Sequence, residues 1–200
     1  MDKTFVLGRD IVPPRISVAA GEVVRLNLVA LGSASLDLEV SLDGEGAALD
    51  VAALYLCTDS QVVDLRVNVR HNVPGCSSRQ LFKGLVGGQA RASFDGEVYV
   101  AQGAAGTKAL QENHSILLSS QAVAETRPQL EIYADDVECS HGATTGFLDP
   151  DEQFYMRSRG ISESEARRLQ MISFISPVLS RLDARLQEEA INTLQFLKTT

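Results

Sequence analysis

Apolar and polar residues alternate along the chain from about residue 23 to residue 134. The alternation is clearest in LDLEVSLD (36–43) and VVDLRVNVR (62–70), where every second residue is Leu or Val. A period of two is typical of a β-strand with one face in the core and the other in solvent. Further strand-like runs are separated by turn-forming residues and lie at 23–31, 51–56, 90–104, 113–120 and 128–134.

Residues 1–148 contain no stretch with the spacing of an amphipathic helix. The strands are therefore not joined as ordinary βαβ units, and a sandwich, a barrel or a β-solenoid remains. In a solenoid, each coil stacks on its neighbour and the inward residues form apolar ladders. The pattern alone leaves the sandwich and the solenoid open.

The period changes at residue 149 to that of helices. Asp149 predicts the N-cap and Pro150 the first position of a helix that ends at Gly160, a residue suited to a left-handed C-terminal cap. A second helix begins after Ser162, which forms a capping-box pattern with Glu165. The helical part of the chain therefore begins at about residue 149.

The spacing of apolar residues in the second helix predicts one apolar stripe, and Pro177 should kink or end this helix. The stripe consists of Ala166, Leu169, Ile172, Ile175 and Leu179. A last helix, roughly 183–197, places one set of apolar residues on one side, namely Leu186, Ala190, Ile191, Leu194 and Leu197. We therefore predict a β domain at 1–148 and a helical domain at 149–200.

Charge and the length of apolar runs argue against nucleic-acid and membrane partners, and the cysteine content indicates the compartment. Lys and Arg number 18 and Asp and Glu 26 among 200 residues, and this net charge of −8 argues against a nucleic-acid partner. No apolar run reaches the roughly 18 residues that a membrane-spanning helix needs. Three cysteines without C-x-x-C spacing fit a reducing compartment better than a disulfide framework. We expect a cytoplasmic protein with no membrane and no nucleic acid as partner.

Candidate chemistry is concentrated at Cys139 and His141. On a strand, i and i+2 side chains project from the same face, so both could contact one metal or one ligand. Three alternatives remain: part of a metal site, a nucleophile with its base, which requires a low-pKa thiol, or the polar end of a strand with a buried cysteine. The other histidines are expected in ordinary places, His71 in a turn and His114 at the start of an apolar strand.

The stretch PQLEIYADDVECSHGATTGFLDPDEQFYMRSRGISESEARRL (128–169) closely resembles the C-terminal part of the SufB/SufD family of iron-sulfur cluster assembly proteins. CSHGAT stands where SufB-type chains carry a sequence like E-H-E-A-T, so the chain is most similar to the SufD branch. FDGEVYVAQGAAGTKALQENHSILLSSQAVAETRPQL (94–130) also resembles the preceding coils of that family. The resemblance implies a right-handed parallel β-helix closed by C-terminal helices, and thus favours the solenoid.

The resemblance also implies a function without catalysis. Family members are scaffold subunits in which a SufD-like chain pairs with a SufB-like chain through the ends of their β-helices. A transient iron-sulfur cluster forms at that junction, and none is expected to be tightly bound to the isolated chain. The motif histidine falls on His141 and the motif cysteine on Cys139. Pairing with an identical chain, and a structural or interaction protein without cluster chemistry, remain as alternatives.

The helical corner is a second candidate surface. By resemblance, the C-terminal helices bind a SufC-like ABC-type ATPase, and the apolar and basic residues around the corner are candidates for this contact: Phe154, Tyr155, Met156, Arg157, Arg159 and Ile161. A cap on the exposed solenoid edge would explain the same residues. Family members begin with a helical region, whereas this chain starts almost directly in strands, so we expect a short or N-terminally truncated member.

Overall fold

The computed structural model describes residues 1–197, so the last three residues of the predicted helical domain lie outside the described residues. Eleven β-strands precede three helices. The strands are β1 Asp2–Val6, β2 Arg15–Val18, β3 Val23–Leu31, β4 Ala34–Leu42, β5 Ala48–Cys57, β6 Val62–His71, β7 Ser77–Val86, β8 Arg91–Val100, β9 Lys108–Leu117, β10 Val123–Ile132 and β11 Glu138–Phe147. The helices are α1 Pro150–Ser158, α2 Glu163–Leu179 and α3 Ala184–Leu194.

Successive strands alternate between two parallel sheets. The odd-numbered strands form one sheet in the order β1-β3-β5-β7-β9-β11, and the even-numbered strands form the other in the order β10-β8-β6-β4-β2. Each strand thus pairs with the strand two further along the chain, which is the connectivity of a solenoid with two strands per coil. The predicted β-helix with C-terminal helices is confirmed.

The core lies between the two sheets and is built from ladders of inward residues. Leu38 stacks on Val67 and Val40 on Val69 in the register of β4 and β6, and all four are fully buried. The turns between coils approach closely: a Cβ on Gly88, whose φ is +59°, would lie 2.7 Å from the backbone nitrogen of the preceding coil's turn. The predicted alternation therefore corresponds to the inward and outward faces of the coils.

The helices cover the outer face of the odd-strand sheet. Ile175 and Val178 of α2 and Leu194 of α3 are buried against outward residues of β3, β5 and β7, among them Val29, Leu54 and Leu85. The predicted caps are confirmed. Asp149 accepts hydrogen bonds from the first turn of α1, and Ser162 accepts one from the Glu165 backbone N–H.

The predicted stripe of α2 was partly wrong. Leu169 is 38% exposed, whereas Met171 and Val178 are buried. The reason is that α2 contacts two surfaces in succession: Gln170 donates to the Asp149 carbonyl beside α1, and the following turns face the sheet. Pro177 lies in the last turn of α2, which ends two residues later. The division into two domains at residue 148 stays a prediction.

Candidate functional site

The solenoid ends in two free strand edges. β11 pairs with β9 and β10 with β8, and within residues 1–197 no strand pairs with the other edge of either. The two edges differ. The N–H groups of two odd-numbered residues, Val123 in β10 and Tyr133 directly after it, point to the β8 side. The backbone groups of the even-numbered residues therefore face the free edge. Pro128 is one of these residues, and its nitrogen has no proton to donate. The edge of β11 carries no proline, and therefore its whole row of donors is available.

Cys139 and His141 lie side by side on the inner face of β11, as their spacing predicted. In the register with β9, Cys139 opposes Ala109 and His141 opposes Gln111, and both partners are buried inward residues. Because no further coil covers β11 in the described chain, His141 is exposed and Cys139 is half-buried. Both side chains belong to the interior ladders of the solenoid but are accessible at its open end.

Burial controls the chemistry of the Cys139 thiol. Its sulfur packs against a small apolar cluster that includes Val98, Val100 and Ala104, and this desolvation raises the pKa of the thiol. A cysteine nucleophile paired with a base needs the opposite shift. The raised pKa therefore disfavours the nucleophile interpretation of Cys139 and His141.

The other thiols and imidazoles lie elsewhere. Cys57 and Cys76 are buried, and desolvation raises the pKa of Cys57 to about 12. The prediction for His71 was wrong: it is the last residue of β6, fully buried, and shares a 2.9 Å hydrogen bond with Ser78. Among residues 1–197, no three His, Cys, Asp or Glu side chains are grouped so that they could hold a metal ion. Cys139 and His141 thus form a two-donor arrangement.

The interior beneath the site is polar, which the sequence analysis missed. The Tyr55 hydroxyl lies 3.0 Å from Asn113 Oδ1 and 2.7 Å from Ser115 Oγ, and Asn113 donates to Thr126 across the two sheets at 2.9 Å. These polar groups occupy inward positions of β5, β9 and β10. In the register of the earlier coils, Asn113 follows Phe82 and Ala53, and Thr126 follows Phe94 and Leu65. Polar residues at alternate positions of a buried strand were the available signal.

The helical corner exposes aromatic surface, as predicted. α1 contains no buried residue, and Phe154 and Tyr155 are 71% and 60% exposed. The Arg159 guanidinium lies over the Tyr155 ring at 5.4 Å from its centroid, and Arg157 forms an exposed ion pair with Glu163 at 3.8 Å. Met156 and Ile161 beside them are half-buried. The corner therefore presents an aromatic surface with cations along it.

Comparison with known proteins places this chain in a family. The family described as SUF system FeS cluster assembly, SufBD core domain, matches residues 11–174. The chain belongs to the SufB/SufD family. It is 39% identical over 164 residues to the iron-sulfur cluster assembly protein SufD of Escherichia coli K12, which covers 80% of this chain and 39% of that protein. The predicted membership and SufD-like character are confirmed.

Further relatives of this SufB/SufD chain come from photosynthetic organisms. An iron-sulfur cluster assembly SufBD family protein of Synechocystis is 36% identical over 170 residues, 83% of this chain and 38% of that protein. The chloroplastic protein ABCI7 of Arabidopsis thaliana is 36% identical over 156 residues, 77% of this chain and 33% of its own length. The chain thus spans less than half the length of these relatives. In residues 1–197, no helix has the length and apolar character needed to cross a membrane.

Proposed function

We propose that this chain is a non-enzymatic scaffold subunit for iron-sulfur cluster assembly in a SUF-type complex. The observation that carries the proposal is the open end of the solenoid, where an exposed imidazole and a half-buried thiol lie side by side on a strand with one unpaired edge. Family membership supports the cluster as the cargo. The three free cysteines favour a reducing compartment, and we place the protein in the cytoplasm.

Pairing through the end of the β-helix follows from the edge of β11. Glu138 donates its N–H to β9, so the even residues of β11 face β9 and the odd residues, including His141, turn their N–H and C=O groups to the free edge. After Glu138, the outward side chains of β11 are small, and the space that a Cβ would fill on Gly142 and Gly146 is open. A strand from a SufB-like chain, or from a second copy of this chain, could therefore lie against β11.

The two donors suit a cluster that is released again. Cluster iron in proteins is commonly held by four ligands, so Cys139 and His141 supply half of a set and the partner supplies the rest. The thiol must lose its proton when it binds iron, and the raised pKa of Cys139 makes that loss less favourable. The site therefore holds iron weakly when the partner is absent, which agrees with a transient cluster at the interface.

The helical corner is proposed to bind an ABC-type ATPase subunit of SufC type. Phe154 and Tyr155 supply exposed aromatic area, and Arg157 and Arg159 add cations beside it. Aromatic and arginine side chains dominate the free energy of protein interfaces. α1 is unburied and α2 is fixed on the odd-strand sheet, so a force applied at the corner would act on the sheet whose last strand, β11, carries Cys139 and His141.

The first prediction tests His141. In a co-expressed SUF assembly system, His141→Ala should strongly reduce cluster formation, measured as iron and sulfide bound to the anaerobically purified complex, while the folded protein is unchanged by circular dichroism. His114→Ala is the matched control, because His114 lies on the adjacent strand β9 but on the outer face, where it hydrogen bonds to Thr144. Normal iron and sulfide content in the His141 variant would contradict the proposed role of His141 in cluster assembly. It would favour the alternative of a structural protein without cluster chemistry.

A further inference from the structure

One interior ladder of the solenoid changes from apolar to polar as it approaches the open end. In the registers of β5, β7, β9 and β11, Val51 opposes Gln80, Gln80 opposes Gln111, and Gln111 opposes His141. Both glutamines are fully buried. His141 is thus the last rung of a ladder whose two preceding rungs are primary amides.

The two amides are joined by one hydrogen bond, which leaves one group free at each end. Gln111 Nε2 donates to Gln80 Oε1 at 3.3 Å. Gln111 Oε1 and Gln80 Nε2 are both buried without a hydrogen-bond partner. Buried acceptors are nearly always satisfied in folded proteins, so an unpaired amide oxygen beside a candidate site requires an explanation.

The free oxygen of Gln111 belongs to the rung next to the open end. The nitrogen of the same amide is taken up by the hydrogen bond to Gln80 of the preceding coil, so the oxygen is the group left for a side chain of the following coil. The following coil places His141 opposite Gln111, one strand spacing of about 4.8 Å away. A neutral imidazole carries one N–H donor and one lone pair, and so it can satisfy the oxygen and still bind a metal.

We propose that Gln111 is a positioning residue for His141. Its Oε1, which has no partner in the structure, accepts a hydrogen bond from Nδ1–H when the exposed imidazole turns towards it. This leaves the lone pair on Nε2, the ring nitrogen further from the backbone, for iron at the subunit junction. Metal-binding histidines generally donate their other N–H to such a partner, which sets both the tautomer and the orientation of the ring. The inference rests on the proposed function for its purpose, but the proposed hydrogen bond joins two residues of this chain and requires no partner subunit.

The test is the tautomer of His141 in the ¹⁵N-labelled full chain. Long-range ¹H–¹⁵N NMR correlation at about pH 8.5, where an ordinary histidine is neutral, separates Nδ1–H from Nε2–H rings. His141→Ala identifies the signals. We expect Nδ1–H in the wild type, the Nε2–H form favoured by free histidine in Gln111→Leu, and Nδ1–H again in Gln111→Glu, which restores an acceptor. A wild-type ring in the Nε2–H form overturns the proposal without any variant.

Ser115→Ala is the matched control, because it also removes a buried polar group from the inner face of β9 but contacts Tyr55 and not the site. It should leave the tautomer of His141 unchanged. In the assembly system, Gln111→Leu should lower cluster content by roughly 10- to 100-fold, the usual effect of losing such a partner. Loss of clusters in His141→Ala with an unchanged tautomer in Gln111→Leu refutes the role of Gln111 alone. A Gln111-dependent tautomer with normal clusters in His141→Ala refutes the proposed function instead.

Discussion

At the scale of single residues, the interior of this solenoid contains buried polar groups near the candidate site and others that are remote from it. Gln111 and Asn113 lie near the open end and belong to the surroundings of the candidate site. His71 lies far along the other sheet, at the end of β6, with Nε2 bonded to Ser78 and Nδ1 buried without a partner. It touches no part of the candidate site, so its effect is on stability and not on assembly.

The buried His71 makes the protein less stable in acid. Burial lowers the pKa of His71 to about 4, against about 6.5 in the unfolded chain. Between these values the unfolded state binds a proton that the folded state does not, so the free energy of unfolding falls as pH drops from 6.5 to 4 and then levels off. At about 1.4 kcal/mol per pH unit, the contribution lost over this window is on the order of 3 kcal/mol.

Urea unfolding of the wild type and His71→Gln at pH 7 and pH 5 measures this contribution. The free energy of unfolding should fall by about 2 kcal/mol more in the wild type than in the variant, because only the wild type has the linked proton. Carboxylates and the other two histidines titrate equally in both proteins and cancel in the difference. Equal pH dependence of the two proteins would contradict the assignment.

At the scale of elements, α1 differs from α2 and α3 in burying no residue. Phe154→Ser should therefore change the free energy of unfolding by no more than about 0.5 kcal/mol, as for an ordinary surface substitution. Its binding to the ATPase subunit should weaken by at least 2 kcal/mol, about 30-fold, if α1 is the docking helix. Isothermal titration calorimetry measures this change.

Phe196 provides the control for the docking prediction, because it is also 71% exposed but follows α3. Phe196→Ser should bind the ATPase subunit as tightly as the wild type. An equal loss of affinity in both variants would indicate nonspecific binding through exposed aromatic residues. Unchanged affinity in Phe154→Ser would contradict docking at α1, and the helices would then serve only to cover the sheet.

The period of two is clearest in strands whose two faces meet different surroundings. β4 and β6 alternate cleanly because their outer faces meet solvent. β7 was missed because α2 covers its outer face while Gln80 and Gly84 point inward, so that apolar and polar residues occupy both faces. Spacing also placed Cys139 and His141 on one face of a strand, but no local pattern links His141 to Gln111. That pairing depends on the register between coils, which the lengths of the turns decide.

At the scale of the whole molecule, the stacking of coils stops at β10 and β11, and no further strand of the described chain pairs with either of them. The two sheets end differently there. Pro128 removes a donor from the middle of the β10 edge, and β11 keeps all of its own. Assembly should therefore depend on the free backbone donors of β11.

Thr145→Pro tests this dependence. Thr145 is an odd residue of β11, so its N–H points to the free edge, and proline removes that donor without breaking a hydrogen bond to β9. Native mass spectrometry of the purified complex should show at least a tenfold loss of association with the SufB-like chain or with a second copy. Thr145→Val keeps both the N–H and the shape of the side chain, and should assemble normally. If the proline variant assembles as well as the valine variant, subunits join through another surface, and the cluster site on β11 would not lie at a junction.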